Sequence, residues 1–266
     1  MENKTLKILF IGDIFGAKAV EALEIKLPQL IKKWKIDFVI AQGENVSGRK
    51  GLIQSDYEKL KNAGINAITL GNHIWAKPEI QLIINNSDLI RPYNVDLSYP
   101  GKGSQIFLIN GISLRVTSLL GITFNELTTG WNQSHANNFF DAFDEINNNS
   151  QKATYHFIDF HGETTSEKNV FGLYIDGKAD AMIGTHTHVQ TNDARILPQG
   201  LVYMTDAGMT GPSNSAIGAD YISVYDKMRF NARSKFKVSN NSLQFNGAII
   251  TFSPKGHKIK PLNFMF

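Results

Sequence analysis

Seven residues of the 266-residue chain offer oxygen or imidazole donors just where short apolar runs end. Asp13 follows the run 6–11 and Gly12. Glu44 and Asn45 follow 38–41, and Asn72 follows 67–70 and Gly71. His161 ends the run that begins at Tyr155, and His186 and His188 follow 181–183 and Gly184. No thiolate takes part, because the chain has no cysteine. An oxygen-and-imidazole set suits manganese, iron, zinc or similar ions, and more than four donors can hold two of them. His186 and His188 are two apart, so in an extended segment both rings point to one side. Two ions about 3.5–4 Å apart, bridged by a carboxylate, can hold a hydroxide for in-line attack on phosphorus and neutralise the developing charge. Each residue alone has a plainer reading. Asp13 fits a turn or helix cap, Glu44-Asn45 a solvated loop, Asn72 a left-handed turn, and His161 a hydrogen-bonded core ring. Their common place at the ends of successive runs favours a metal centre.

The elements that must position these donors read as buried strands, since short apolar runs bounded by glycine or turns suit strands covered on both faces. A sixth run, 202–205, leads into Asp206. Between the strands, apolar residues at Val20, Leu23, Leu27, Leu30, Ile31 and Trp34 follow a helical period, with Pro28 kinking that helix or opening its second half. Residues 54–63, 78–84 and 136–146 are further helix candidates. Asn110-Gly111 between two apolar runs predicts a β-hairpin. The tail after Phe236, with turns at Asn240-Asn241 and 254–256, reads as antiparallel strands. Strands alternating with helices and closed by hairpins predict an α/β fold with mixed sheets. With no repeat and no Pro-, Gly- or Ser-rich linker, a single domain over 1–266 is expected. In open α/β sheets ligands gather at the carboxyl ends of the strands, where these donors stand.

Hydrophobic content of 42% and charged content of 19% suit a globule with a substantial core. A net charge of +3 gives no dense basic block, which argues against a nucleic-acid-coating role. The first apolar stretch is too short for a membrane span and lacks a cleavage site, so a cytoplasmic protein without a membrane partner is expected. Three glycine motifs fail. The run 43–50 puts Arg49 where a P-loop needs lysine, and if Lys50 is taken as that lysine, Gly51 follows it where Ser or Thr is needed. The run 12–16 lacks the second glycine of a dinucleotide fingerprint, and Asp13 would face a pyrophosphate. Gly101-Lys102-Gly103 stands alone. His135, His156 and His257 lack a strand-end placement and read as ordinary residues, although His156 shares a strand with His161.

Gly12-Asp13, Gly71-Asn72-His73, His161 and the Gly-Thr-His-Thr-His segment ending at His188 resemble the signature of the calcineurin-like metallophosphoesterases. The chain is most similar to the YmdB-type phosphodiesterases. The motifs that carry this are IGDIFG at 11–16, GEN at 43–45, ITLGNHIW at 68–75, IDFHGETTSEK at 158–168, GTHTHVQT at 184–191, RILPQG at 195–200 and TDAGMTGP at 205–212. The chain departs from the superfamily pattern where Phe15 replaces a histidine and Glu44 replaces the bridging aspartate. The resemblance implies a sandwich of two mixed β-sheets flanked by helices and two divalent or trivalent ions, iron or manganese first, with zinc or magnesium as alternatives. It implies that Asp13, Glu44, Asn45 and His188 hold one ion, that Glu44, Asn72, His161 and His186 hold the other, and that Asn45 replaces the missing imidazole. His73 would protonate the departing alkoxide, or would only orient Asn72 or a substrate phosphate. The implied activity is a metal-dependent phosphodiesterase acting on 2′,3′- or 3′,5′-cyclic nucleotides or other diesters. RNA ends as substrate and a homo-oligomer stay open. The alternatives are a phosphomonoesterase and a non-catalytic metal-containing nucleotide sensor or scaffold. Arg49, Lys50 and Arg91 could contact phosphate or be surface residues.

Overall fold

A computed structural model describes residues 5–233 and 235–266. The chain begins with β1 (Leu6–Ile11), β2 (Asp13–Ile14), α1 (Ala17–Trp34), β3 (Phe38–Gln42), α2 (Gln54–Asn62) and β4 (Ala67–Thr69). Two 3-10 turns, Ile74–Ala76 and Pro78–Leu82, precede β5 (Leu89–Ile90), β6 (Ser104–Ile109), β7 (Ile112–Leu120), α3 (Phe139–Asn149) and β8 (Tyr155–His161). Then come α4 (Thr165–Ile175), β9 (Ala181–Thr185), β10 (Arg195–Ile196), β11 (Val202–Met204), β12 (Met209–Pro212), α5 (Tyr221–Phe230), β13 (Leu243–Phe252) and β14 (Lys258–Met265).

The strands form two mixed sheets. The first runs β2-β12-β13-β1-β3-β4-β5, with β14 on the other edge of β13. In it β1, β3, β4 and β5 are parallel, and β13 runs against β1. The second runs β10-β11-β9-β8-β7-β6, parallel from β11 to β7, with antiparallel edges at β10 and β6. Period-two alternation sorts the core. Ile8, Phe10 and Ile40 point between the sheets and meet Val116, Phe157, Ile183 and Met204. Leu9, Ile11 and Val39 point the other way, onto Val20, Leu23 and Leu27 of α1 and Leu60 of α2. On the far side Ile158, Phe160, Met182 and Tyr203 meet Phe143 of α3 and Phe171 and Ile175 of α4. Every strand of the two centres is therefore covered on both faces, which is why it reads as a continuous apolar run.

The expected hairpin forms, with Asn110 at φ 51° and Gly111 at φ 78° joining β6 to β7. The tail pairs as β13 and β14 around the turn at Pro254-Lys255-Gly256. Three helix expectations change. α1 runs unbroken through Pro28, which lies on its exposed face. Residues 78–82 form a 3-10 turn, not an α-helix, since so short a stretch before Asn85-Asn86 cannot propagate one. α3 starts at Phe139 because the Asn138 side chain accepts from the Phe140 and Asp141 N–H groups and caps it there. Among the described residues no helix is long and apolar enough to cross a membrane.

Candidate metal centre

The ends of β1, β3 and β4 in one sheet meet the ends of β8 and β9 in the other, and the seven donors converge there. Glu44 is fully buried. Its Oε1 lies 3.1 Å from His161 Nε2, and its Oε2 accepts from the His73 N–H at 2.8 Å. His161 Nε2 also stands 3.0 Å from Asn72 Oδ1 and 3.0 Å from His186 Nδ1. The donor atoms of Glu44, His161 and His186 all fall within 4.8 Å of one another. Beside this trio, His188 Nε2 lies 3.2 Å from Asn45 Nδ2 and 3.7 Å from Asp13 Oδ1. Asn45 thus turns its amide nitrogen to the cluster. Rotating that amide by half a turn would offer its oxygen instead.

These residues fit a bound cation on a direct observation. Asp13 is fully buried, and its Oδ1 has no hydrogen-bond partner. A buried carboxylate oxygen without a donor is costly, and a cation would satisfy it. Burial accordingly pushes the Asp13 carboxyl above the usual carboxylate range, against the pull of His188 and His161. Burial acts on Glu44 in the same sense, but His161 and the His73 contacts overcome it and hold Glu44 well below that range. The His161 ring loses to burial and gains more from Glu44, which brings it up to about 9. Gly71 makes the crowding feasible. A Cβ there would stand 2.4 Å from both Glu44 Oε2 and His161 Cδ2.

The two histidines after β9 do not lie on one extended strand. β9 ends at Thr185, and both His186 and His188 have positive φ, 102° and 64°. Their rings consequently serve different parts of the cluster, His186 at His161 and His188 at Asn45. Positive φ is costly for residues other than glycine, and partners hold it here. Asp13 Oδ2 accepts from the His186 N–H at 3.2 Å. Asp206 Oδ2 accepts from the Thr187 N–H at 3.1 Å and from its hydroxyl at 2.8 Å. Asp206, which ends the sixth run, is itself paired with the buried Lys168 ammonium at 2.9 Å.

Several supporting residues stand apart from the strand-end donor pattern, although Thr69, Asp159 and Thr185 lie within the motifs quoted above. Gln42 Nε2 and Thr185 Oγ1 flank His161 Nδ1 at 3.2 and 2.9 Å. The Thr185 and Thr69 hydroxyls both donate to Asp159, whose carboxyl burial raises to about 7. Such outer partners fix ring orientation around a metal. For Asp159 the hints are its place in the 158–168 motif and on the same strand as His161.

His73 lies beside the cluster on the wall of a cavity of about 600 Å³, together with Arg49, Lys50 and Glu163. Arg91 does not reach it. Its side chain is buried and donates to the carbonyls of Pro100 and Pro92. His156 bonds Thr117, His257 pairs with Asp180, and His135 bonds Ser134, all away from the donors.

The sequence profile described as "YmdB-like protein" matches residues 9–263. A Bacillus subtilis protein named 2′,3′-cyclic-nucleotide 2′-phosphodiesterase is 39% identical over 254 residues, covering 95% of this chain and 94% of that protein. A crystal structure described as a novel phosphatase from Mycoplasma pneumoniae superposes with a TM-score of 0.91 at 36% identity, covering 99% of this chain and 94% of that one. A hypothetical protein from Thermus thermophilus superposes with a TM-score of 0.90 at 32% identity, covering 98% of this chain and 99% of that one.

Proposed function

The chain belongs to the YmdB-like protein family, and on that premise we propose that it is a dinuclear-metal phosphodiesterase of cyclic nucleotides, 2′,3′- or 3′,5′-linked, acting as one metallophosphoesterase domain. The observation that carries this reading is the buried donor set at the meeting of the two sheets, with the orphaned Asp13 Oδ1 in it. Asp13, Asn45 and His188 would hold one cation. Asn72, His161 and His186 would hold the other, and Glu44, whose carboxylate sits between the groups, would serve both. Manganese, iron and zinc all suit these oxygen and imidazole donors, and the family resemblance favours manganese or iron among them. When bound, the cations activate water and neutralise charge on the phosphoryl oxygens.

The protein's own groups do the rest. Asp206 and Asp13 keep the 186–188 segment in its unfavourable backbone conformation, so both rings face the cluster without reorganising. Glu44 accepts the His73 N–H and so anchors that residue beside the centre. The His73 imidazole, on the cavity wall, delivers a proton to the departing alkoxide. Arg49 and Lys50 draw the anionic substrate into the cavity.

The test is hydrolysis of 2′,3′-cyclic AMP with added manganese by wild type, His73→Ala and Asn72→Ala, with metal content measured on each. Wild type is expected to cleave it. His73→Ala should keep its metal and lose about 10²–10⁴-fold in rate. Asn72→Ala should lose metal. If wild type holds two metals and cleaves a phosphomonoester but no diester, the monoesterase reading replaces this one. If it takes up no metal, the reading fails.

A further inference from the structure

The cavity over the donor cluster has two unlike walls. One carries the cluster itself with Arg49 and Lys50. The other is apolar, built by Phe15, Ile217, Val224, Met228 and Phe236. Cleavage of a phosphate ester needs only the first wall. The second exposes large apolar side chains at the mouth of a polar site, with Met228 82% and Ile217 57% exposed. Ile217 also has φ 47°, a left-handed conformation that a β-branched residue adopts only at a cost. Local bonds hold it there. Its carbonyl lies 2.8 Å from His188 Nδ1, and Ser215 Oγ accepts from the Gly218 N–H at 2.8 Å. This turn therefore ties the apolar wall directly to one of the proposed metal ligands. Burial in the free protein does not repay the strain, because the Ile217 side chain stands in solvent. A flat apolar ligand would cover it. Across the cavity mouth the Arg49 guanidinium stacks 5.2 Å from the Phe236 ring centre. A guanidinium held this way can stack on a heteroaromatic ring or donate to its edge.

We propose that this wall is a nucleobase subsite, so that the chain selects nucleoside-derived phosphodiesters over base-free ones. This rests on the phosphodiesterase reading and deepens it. The occupant must combine a phosphodiester for the donor cluster with a flat, apolar-faced and hydrogen-bonding group for Ile217, Met228, Phe236 and Arg49. A base on its ribose does so within a cavity of about 600 Å³, an ordinary size for a ligand of that class.

The experiment compares kcat/KM for 2′,3′-cyclic AMP with kcat/KM for glycerol 1,2-cyclic phosphate, which has the same strained ring and no base. Wild type is compared with Met228→Ala, Ile217→Asn and the double variant. Asn tolerates the left-handed conformation, so Ile217→Asn keeps the turn and removes only the apolar side chain. A thermal melt checks that each variant folds. The selectivity ratio is expected to fall about tenfold in the double variant, mostly through a higher KM for the nucleotide. An unchanged ratio in folded, active variants overturns the subsite and leaves the phosphodiesterase reading intact. A wild type inert to both cyclic esters sinks that parent reading instead. The same variants on an oligoribonucleotide ending in a 2′,3′-cyclic phosphate separate the two sources of a base. A parallel loss extends the subsite to RNA ends, and a loss confined to the mononucleotide assigns it to free nucleotides.

Discussion

Replacing Lys168 by methionine tests whether a buried ion pair holds the histidine-bearing segment. The ammonium and the Asp206 carboxylate are almost wholly shielded, at 0% and 1% exposure, and 2.9 Å apart. Lys168 also donates to the Thr185 carbonyl at 2.9 Å. Methionine keeps the apolar stem, so packing changes little and the effect is electrostatic. Removing one partner of a buried pair costs about 3–5 kcal/mol, because the other charge is left uncompensated. Asp206 retains three donors, the Thr187 N–H and hydroxyl and the Gly208 N–H. The expectation for Lys168→Met is therefore the low end, about 3 kcal/mol. The double variant Lys168→Met/Asp206→Asn removes the stranded charge and should cost less than Lys168→Met alone. Urea unfolding at pH 7 gives both numbers, and metal analysis gives the consequence for the site. Because Asp206 grips Thr187 between His186 and His188, Lys168→Met should also hold less metal. A loss below about 1 kcal/mol, or a double variant as unstable as the sum of the singles, would refute the reasoning.

Two further changes probe separate parts of the structure. Gly71→Ala puts a methyl into space taken by Glu44 and His161, at 2.4 Å from each, so it should abolish metal uptake while the circular dichroism spectrum stays native. Full metal content in that variant would show that the two side chains can move aside. His156 is held neutral by burial and by Arg115, down to about 3 from an ordinary 6.5. Its folded-state value is depressed, so the unfolded chain takes up a proton that the folded one refuses. Stability should then fall as pH drops from 6.5 towards 3, by at most about 1.4 kcal/mol per unit from this group. His156→Phe should flatten the slope of urea stability between pH 6.5 and 5, and an identical slope would exclude His156 as its source.

The donors and their strands were legible in the sequence because each rests on a local pattern. A run of apolar residues followed by a glycine and a polar donor marks the carboxyl end of a buried strand, and Asn110-Gly111 marks a turn by its backbone demands alone. Residue types also restricted the chemistry, since a chain without cysteine cannot offer a cation a thiolate. Tertiary structure decided what those donors meet. Glu44 reaches His161 and His186 across more than a hundred residues of sequence, and no periodicity encodes that distance. The same holds for the outer partners. Lys168 closes the 158–168 motif, but nothing local in the sequence shows that α4 turns it inward to Asp206. α4 itself escaped notice because Val170 and Leu173 are exposed while Lys168 is buried, so its apolar residues mark no single face. The apolar wall was hidden for a like reason, since Phe15, Ile217, Met228 and Phe236 come from separate loops and a helix. The positive φ of His186 and His188 likewise depends on bonds to Asp13 and Asp206, which only the closed sandwich brings within reach. Local backbone preference and hydrophobic alternation act over a few residues and can be read in order. Charge pairing and ligand convergence act through space, and only folding brings their partners together.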